Sequence, residues 1–144
     1  MKKKDKQWDT YKAHIKKLSE AFRYTIFAGE YDIKTLYMEQ EKDGDDPRTP
    51  TADEISIDSR YLLSTITFYP LVYEWYKEKR WDDIARVVLH EMCHILTEPL
   101  YVFPLKWLND QAHDDLKDVR ERQTTRVTNA LFQLIKKDEY IPKK

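Results

Sequence analysis

The spacing of hydrophobic residues changes twice along this chain, and those changes decide its fold class. Trp8, Tyr11, Ile15, Leu18, Phe22 and Ile26 recur at steps of three and four, which is the stripe of an amphipathic helix. Gly29 follows where a helix C-terminal glycine belongs. Residues 31–40 then alternate and are rich in β-branched and aromatic side chains, so a strand is predicted there. Residues 41–52 are polar and contain Gly44, Pro47 and Pro50, a loop composition. Residues 54–58 and 61–69 are two further strand candidates, the second ended by Pro70.

Helical spacing then returns. A short helix is expected over 71–79 and a strong one over 81–97, with Asp82 and Asp83 in its first turn and Pro99 just beyond its end. Residues 100–110 are aromatic and contain Pro104, so they read as a surface loop. A third long helix is expected over 114–137, with Leu116, Val119, Val127, Ala130, Leu131 and Leu134 as its apolar stripe. The order is one helix, about three strands, then helices: an α+β domain with a small antiparallel or mixed sheet.

The 144 residues fit one domain spanning 1–144, with residues 1–6 as a basic tail carrying Lys2, Lys3 and Lys4. A net charge of −1 gives no basic footprint for nucleic acid, so no nucleic-acid partner is expected. No apolar run reaches membrane-spanning length, and no apolar stretch follows the N-terminal lysines. Neither a membrane role nor secretion is expected, and the expected location is the cytoplasm. The single cysteine, Cys93, leaves no internal disulfide framework. With only Gly29 and Gly44 present, glycine-rich phosphate loops are excluded.

Within the strongest helix lies His90-Glu91-Met92-Cys93-His94, an HExxH sequence. Residues four apart on an α-helix lie about 40° apart around the axis and about 6 Å along it, so two imidazoles can converge on one metal ion. Glu91 then stands beside a water on that metal and can act as its general base. Ile84, Val88, Met92 and Ile95 mark the buried face of the same helix. Cys93 points to another side and reads as a buried structural thiol rather than a ligand.

A catalytic zinc takes about three protein ligands and an open position. Thr97 excludes the longer HExxHxxGxxH pattern. Glu98 lies four past His94, but three ligands along one helix make a poor tripod. His113, Asp114, Asp115, Asp118 and Glu121 remain as candidates. Helical projection places Glu121 nearly opposite the Leu116/Val127/Leu134 stripe. Glu121 can therefore be a ligand only if that opposite face looks at the HExxH helix.

Residues 81–96, Trp-x₄-Arg-Val-Val-Leu-His-Glu-Met-Cys-His-Ile-Leu, resemble the active-site helix of small gluzincin-type zinc peptidases. Glu121-Arg122-x₃-Arg126-Val127-x₂-Ala130-Leu131 is similar to the helix that supplies a glutamate ligand in compact phage- and prophage-encoded members of that group. The resemblance implies a minimal zincin domain that binds one Zn²⁺ through His90, His94 and Glu121. It implies hydrolysis of a peptide or protein substrate with Glu91 as general base. It also implies that the strand over 61–69 forms the cleft edge on which an extended peptide pairs. Tyr101, His113 and Arg126 are the candidates for stabilising the oxyanion. Two other functions fit the same residues: a non-catalytic zincin-fold binding module, in a virion or in regulation, and a three-histidine site using His113.

Overall fold

The computed structural model describes residues 6–26, 29–44, 46, 48–58, 62–105 and 110–142, with the side chains of 99–105, 110 and 111 left aside. The basic tail, apart from Lys6, lies outside these residues. The elements run α1 (Lys6–Thr25), β1 (Asp32–Tyr37), β2 (Asp53–Asp58), β3 (Leu63–Phe68), α2 (Pro70–Lys77), α3 (Trp81–Leu105), α4 (Asp110–Phe132) and α5 (Lys137–Tyr140). The chain is thus α+β with a small mixed sheet, as its periodicity predicts. None of the described helices is long and apolar enough to cross a membrane.

The sheet order is β1-β3-β2, with β1 parallel and β2 antiparallel to β3. β3 takes the centre because it has the most to bury: Ser64, Ile66 and Phe68 point inward, and all three are buried. The register sets Tyr37 beside Phe68 on one side, and Ile55 beside Ile66 on the other. This corrects the expectation that residues 61–69 form the cleft edge. Both ladders of β3 are occupied, and the edge against α3 is β2. Its Asp53, Glu54, Ser56 and Asp58 are the polar residues that an edge strand tolerates.

Inward-facing strand residues meet Tyr11, Ile15, Leu18 and Phe22 of α1, and Ile84, Ala85, Val88, Leu89 and Met92 of α3, in one buried cluster. Near its α2 end that cluster is aromatic. Tyr11 packs on Trp8, Tyr37, Tyr73 and Tyr76 at centroid distances of 5.1, 5.7, 5.1 and 5.4 Å. Pro70 starts α2 with its fixed φ and its missing N–H where none is needed. The helix closes with Arg80 N donating to Trp75 O at 2.9 Å and Lys79 at φ 60°, a left-handed stop made by a lysine where glycine is usual. Gly29 does not serve as such a stop. α1 ends earlier, at Thr25, and Gly29 sits in the following turn, its carbonyl accepting from Arg23 Nη2 at 3.0 Å.

The helix bounds differ from the sequence reading: the helix expected over 114–137 is α4, Asp110–Phe132, followed by the separate short α5. α3 does not end before Pro99 but runs to Leu105, so the expected loop over 100–110 is half helix; residues 106–109 lie outside the description. Pro99 and Pro104 lack the amide hydrogens that Ile95 O and Leu100 O would accept, yet the helix runs through both positions. The apolar stripe assigned to α4 marks its buried face only in part: Val127 and Leu131 pack against the core, but other members do not. Val119 is 41% exposed, and Leu134, beyond the helix end, is 77% exposed. The most buried α4 residues are Thr124, Thr128 and Phe132, and they face α3.

His14 on α1 tests this packing. Its ring lies between Tyr76 (5.9 Å) and Trp81 (5.5 Å), and its Nε2 is buried without a hydrogen-bond partner. Burial first, and Lys17 second, push its pKa down to about 4. Between about pH 6.5 and 4 the unfolded chain takes up a proton that the folded chain refuses, so stability falls as pH falls through that window. The loss is on the order of 1 kcal/mol for a partly exposed ring. Urea unfolding at pH 7.5 and 4.5 is expected to show a smaller drop in His14→Phe than in wild type. Equal drops in the two proteins would mean that the ring is solvated in solution.

Candidate metal centre

α3 and α4 pack antiparallel. Arg86 pairs with Asn129 (3.0 Å), His94 with Thr124 (3.3 Å) and Glu98 with Arg120 (2.9 Å), so the partner number falls as the α3 number rises. The four-residue step from His90 to His94 keeps both imidazoles on the α4 side of α3, their rings perpendicular and 4.9 Å apart. α4 brings Glu121 to them. Its Oε2 lies 3.5 Å from His90 Nε2 and 3.5 Å from His94 Nε2, and one ligand atom from each of the three residues lies within 4.8 Å of the others.

These residues fit a metal. A tetrahedral ion with ligand bonds of about 2.0–2.1 Å holds its ligand atoms about 3.4 Å apart, close to the two His–Glu distances. Burial is the first cause lowering the pKa of both imidazoles, with His94 pushed down to about 3. They are therefore neutral lone-pair donors at neutral pH, the state a metal requires, and their contacts with Glu121 are not ion pairs. Glu121 is 44% exposed on its side chain, whereas His94 is 5% exposed. The group thus opens to solvent on the Glu121 side. His90, His94 and Glu121 form a group that could hold a metal ion.

Glu91, at 6% exposure, turns to the sheet side of α3. It shares a hydrogen bond with Asp53 of β2. Desolvation first, then Asp53, Glu121 and Glu54, push its carboxyl up to about 9, against the opposing pull of Arg120. Desolvation likewise raises Asp53, to about 7. Four carboxyl groups, of Glu91, Asp53, Glu121 and Glu54, therefore crowd a site whose cationic neighbour is Arg120. A divalent ion between the histidines and Glu121 would add the positive charge that this crowding calls for.

The remaining sequence candidates fall away. His113 lies eight residues before Glu121 on α4, about 12 Å along the axis. It is no part of the metal group, and neither are the exposed Asp114, Asp115 and Asp118. Glu98 is committed to Arg120. Cys93 is fully buried, its thiol pKa raised by burial and partly offset by a hydrogen bond with Thr128. Among the oxyanion candidates, Arg126 is exposed on the outer face of α4, and the Tyr101 side chain lies outside the described residues. Sequence reasoning missed Asp53 and Arg120. Asp53 reaches Glu91 only through strand pairing. Arg120 looked like one more charge on a charged helix, although its position directly before Glu121 was a usable signal. The chain matches no protein-family model, no curated protein and no solved structure, so the case for the site rests on these residues.

Proposed function

We propose that this protein is a zinc-dependent hydrolase of peptide bonds. The observation that carries the reading is the convergence of His90, His94 and Glu121 ligand atoms with a buried carboxyl, Glu91, one residue from the first ligand. A bound Zn²⁺ would lower the pKa of the attacking water and polarise the scissile carbonyl. Glu91 takes the proton of that water and returns it to the leaving amine nitrogen. Asp53 holds the Glu91 carboxyl against β2, which limits its rotation. Arg120, fixed by Glu98 at 2.9 Å, supplies a standing positive charge for the oxyanion that develops as the carbonyl is attacked. The extended substrate pairs with the outer edge of β2, whose one strand partner among the described residues is β3.

Elemental analysis tests the metal. Wild type and His113→Ala are expected to carry about one zinc per chain, and His94→Ala and Glu121→Ala to carry far less. Well-folded wild type that stays metal-free after zinc addition would sink the proposal, while zinc retained in Glu121→Ala would move the third ligand elsewhere.

A further inference from the structure

His94 is held from behind by a line of buried hydroxyls. Its Nδ1 lies 3.3 Å from Thr124 Oγ1. Thr124 Oγ1 lies 2.9 Å from Thr97 Oγ1. Thr97 in turn donates to the carbonyls of its own helix, His94 O at 3.3 Å and Cys93 O at 3.5 Å. Thr124 is fully buried, Thr97 and His94 nearly so. Thr128, one turn further on, donates to Thr124 O at 2.8 Å.

We propose that Thr124 and Thr97 are positioning residues for the metal: their hydroxyl relay fixes the tautomer and rotation of the His94 ring. The assignment rests on His94 being a ligand. A neutral imidazole that offers Nε2 to a metal must carry its proton on Nδ1. Here Thr124 Oγ1 is placed to accept that proton. The Thr124 proton then passes to Thr97, and the Thr97 proton to a helix carbonyl, so every hydrogen of the line has a partner with Nε2 left as a bare lone pair. Nε2 in this form faces the Glu121 oxygen at 3.5 Å. Two acceptors so opposed are favourable only with a cation between them. Outer partners of a ligating histidine are commonly a carboxylate or a backbone carbonyl. The two threonines carry the same carbonyl contact across the α3–α4 interface without adding another acid to a site already crowded with carboxyls.

Thr124→Val keeps the side-chain shape and removes the relay, whereas Thr124→Ser keeps the hydroxyl. Zinc affinity is measured by competition with a chromophoric chelator, alongside thermal unfolding of each metal-free protein. The expected result is a 10–100-fold weaker affinity in Thr124→Val, near-wild-type affinity in Thr124→Ser, and similar metal-free unfolding temperatures. Thr124→Val binding zinc as tightly as wild type overturns the relay and leaves the metal reading intact. Equal weakening in both variants overturns it as well, because the hydroxyl would then not be what matters. Wild type that binds no zinc overturns both readings together.

Discussion

Glu91→Gln is expected to slow peptide hydrolysis by about 10²–10⁴-fold, the usual contribution of a positioned general base, with zinc still bound at one per chain. The geometry separates the two readouts. The metal group is made by His90, His94 and Glu121, so an amide at position 91 removes no ligand. It can still hydrogen-bond Asp53, and it fills the same volume, so the fold has no reason to change. What it lacks is the capacity to accept a proton from water. The measurement is the cleavage rate of a fluorogenic peptide pool, paired with elemental analysis of the same preparation. Undiminished cleavage would remove Glu91 from the mechanism. Absent cleavage in the zinc-loaded wild type would favour the binding-module reading.

Tyr11→Ala is expected to cost about 3–5 kcal/mol, the range for truncating a large buried aromatic residue. Tyr11 is fully buried and touches four other aromatic rings. It ties α1 to β1 through Tyr37 and to α2 through Tyr73 and Tyr76. A cavity there has rigid ring neighbours, and rings tilt poorly into a void. Against a typical total of 5–15 kcal/mol, the loss would leave a visibly unfolded fraction at 37 °C or shift the urea midpoint severely. Equilibrium unfolding followed by near-UV circular dichroism reads it directly. A loss below about 1 kcal/mol would show that α1 is not docked as described.

The elements themselves were largely legible in the amino-acid order, because helix and strand periods differ and α1, the three strands and α3 keep their periods cleanly. Pairing was not. Nothing local in residues 61–69 says that they lie between β1 and β2, because strand order is settled by which strand has most to bury on both sides. α4 misled for a related reason. Reading a helix by its apolar stripe assumes an apolar neighbour. α4 instead docks on a ridge of His94 and Thr97, where hydroxyls fit better than leucines, so Thr124 and Thr128 go inward and Val119 outward. His90, Glu91 and His94 were evident from their spacing. Glu121 depended on which face of α4 turned inward, and Asp53 depended on a strand register that no local pattern encodes.

That hydroxyl-lined interface bears on how firmly the last third of the chain is fastened. α1, the sheet and α3 hold one another through a continuous apolar cluster, which α4 joins at Val127, Leu131 and Phe132, whereas along the stretch beside the histidines α4 is attached by threonine bonds, an Arg–Asn contact and an ion pair. Such contacts replace bonds to water in the separated helices and add little net adhesion each. An ion gripped by two groups from α3 and one from α4 would therefore act as a rivet between a rigid plate and a looser strap. Occupancy of the site and fastening of the strap would then be a single equilibrium, in which α4 is secured most firmly when the ion is bound.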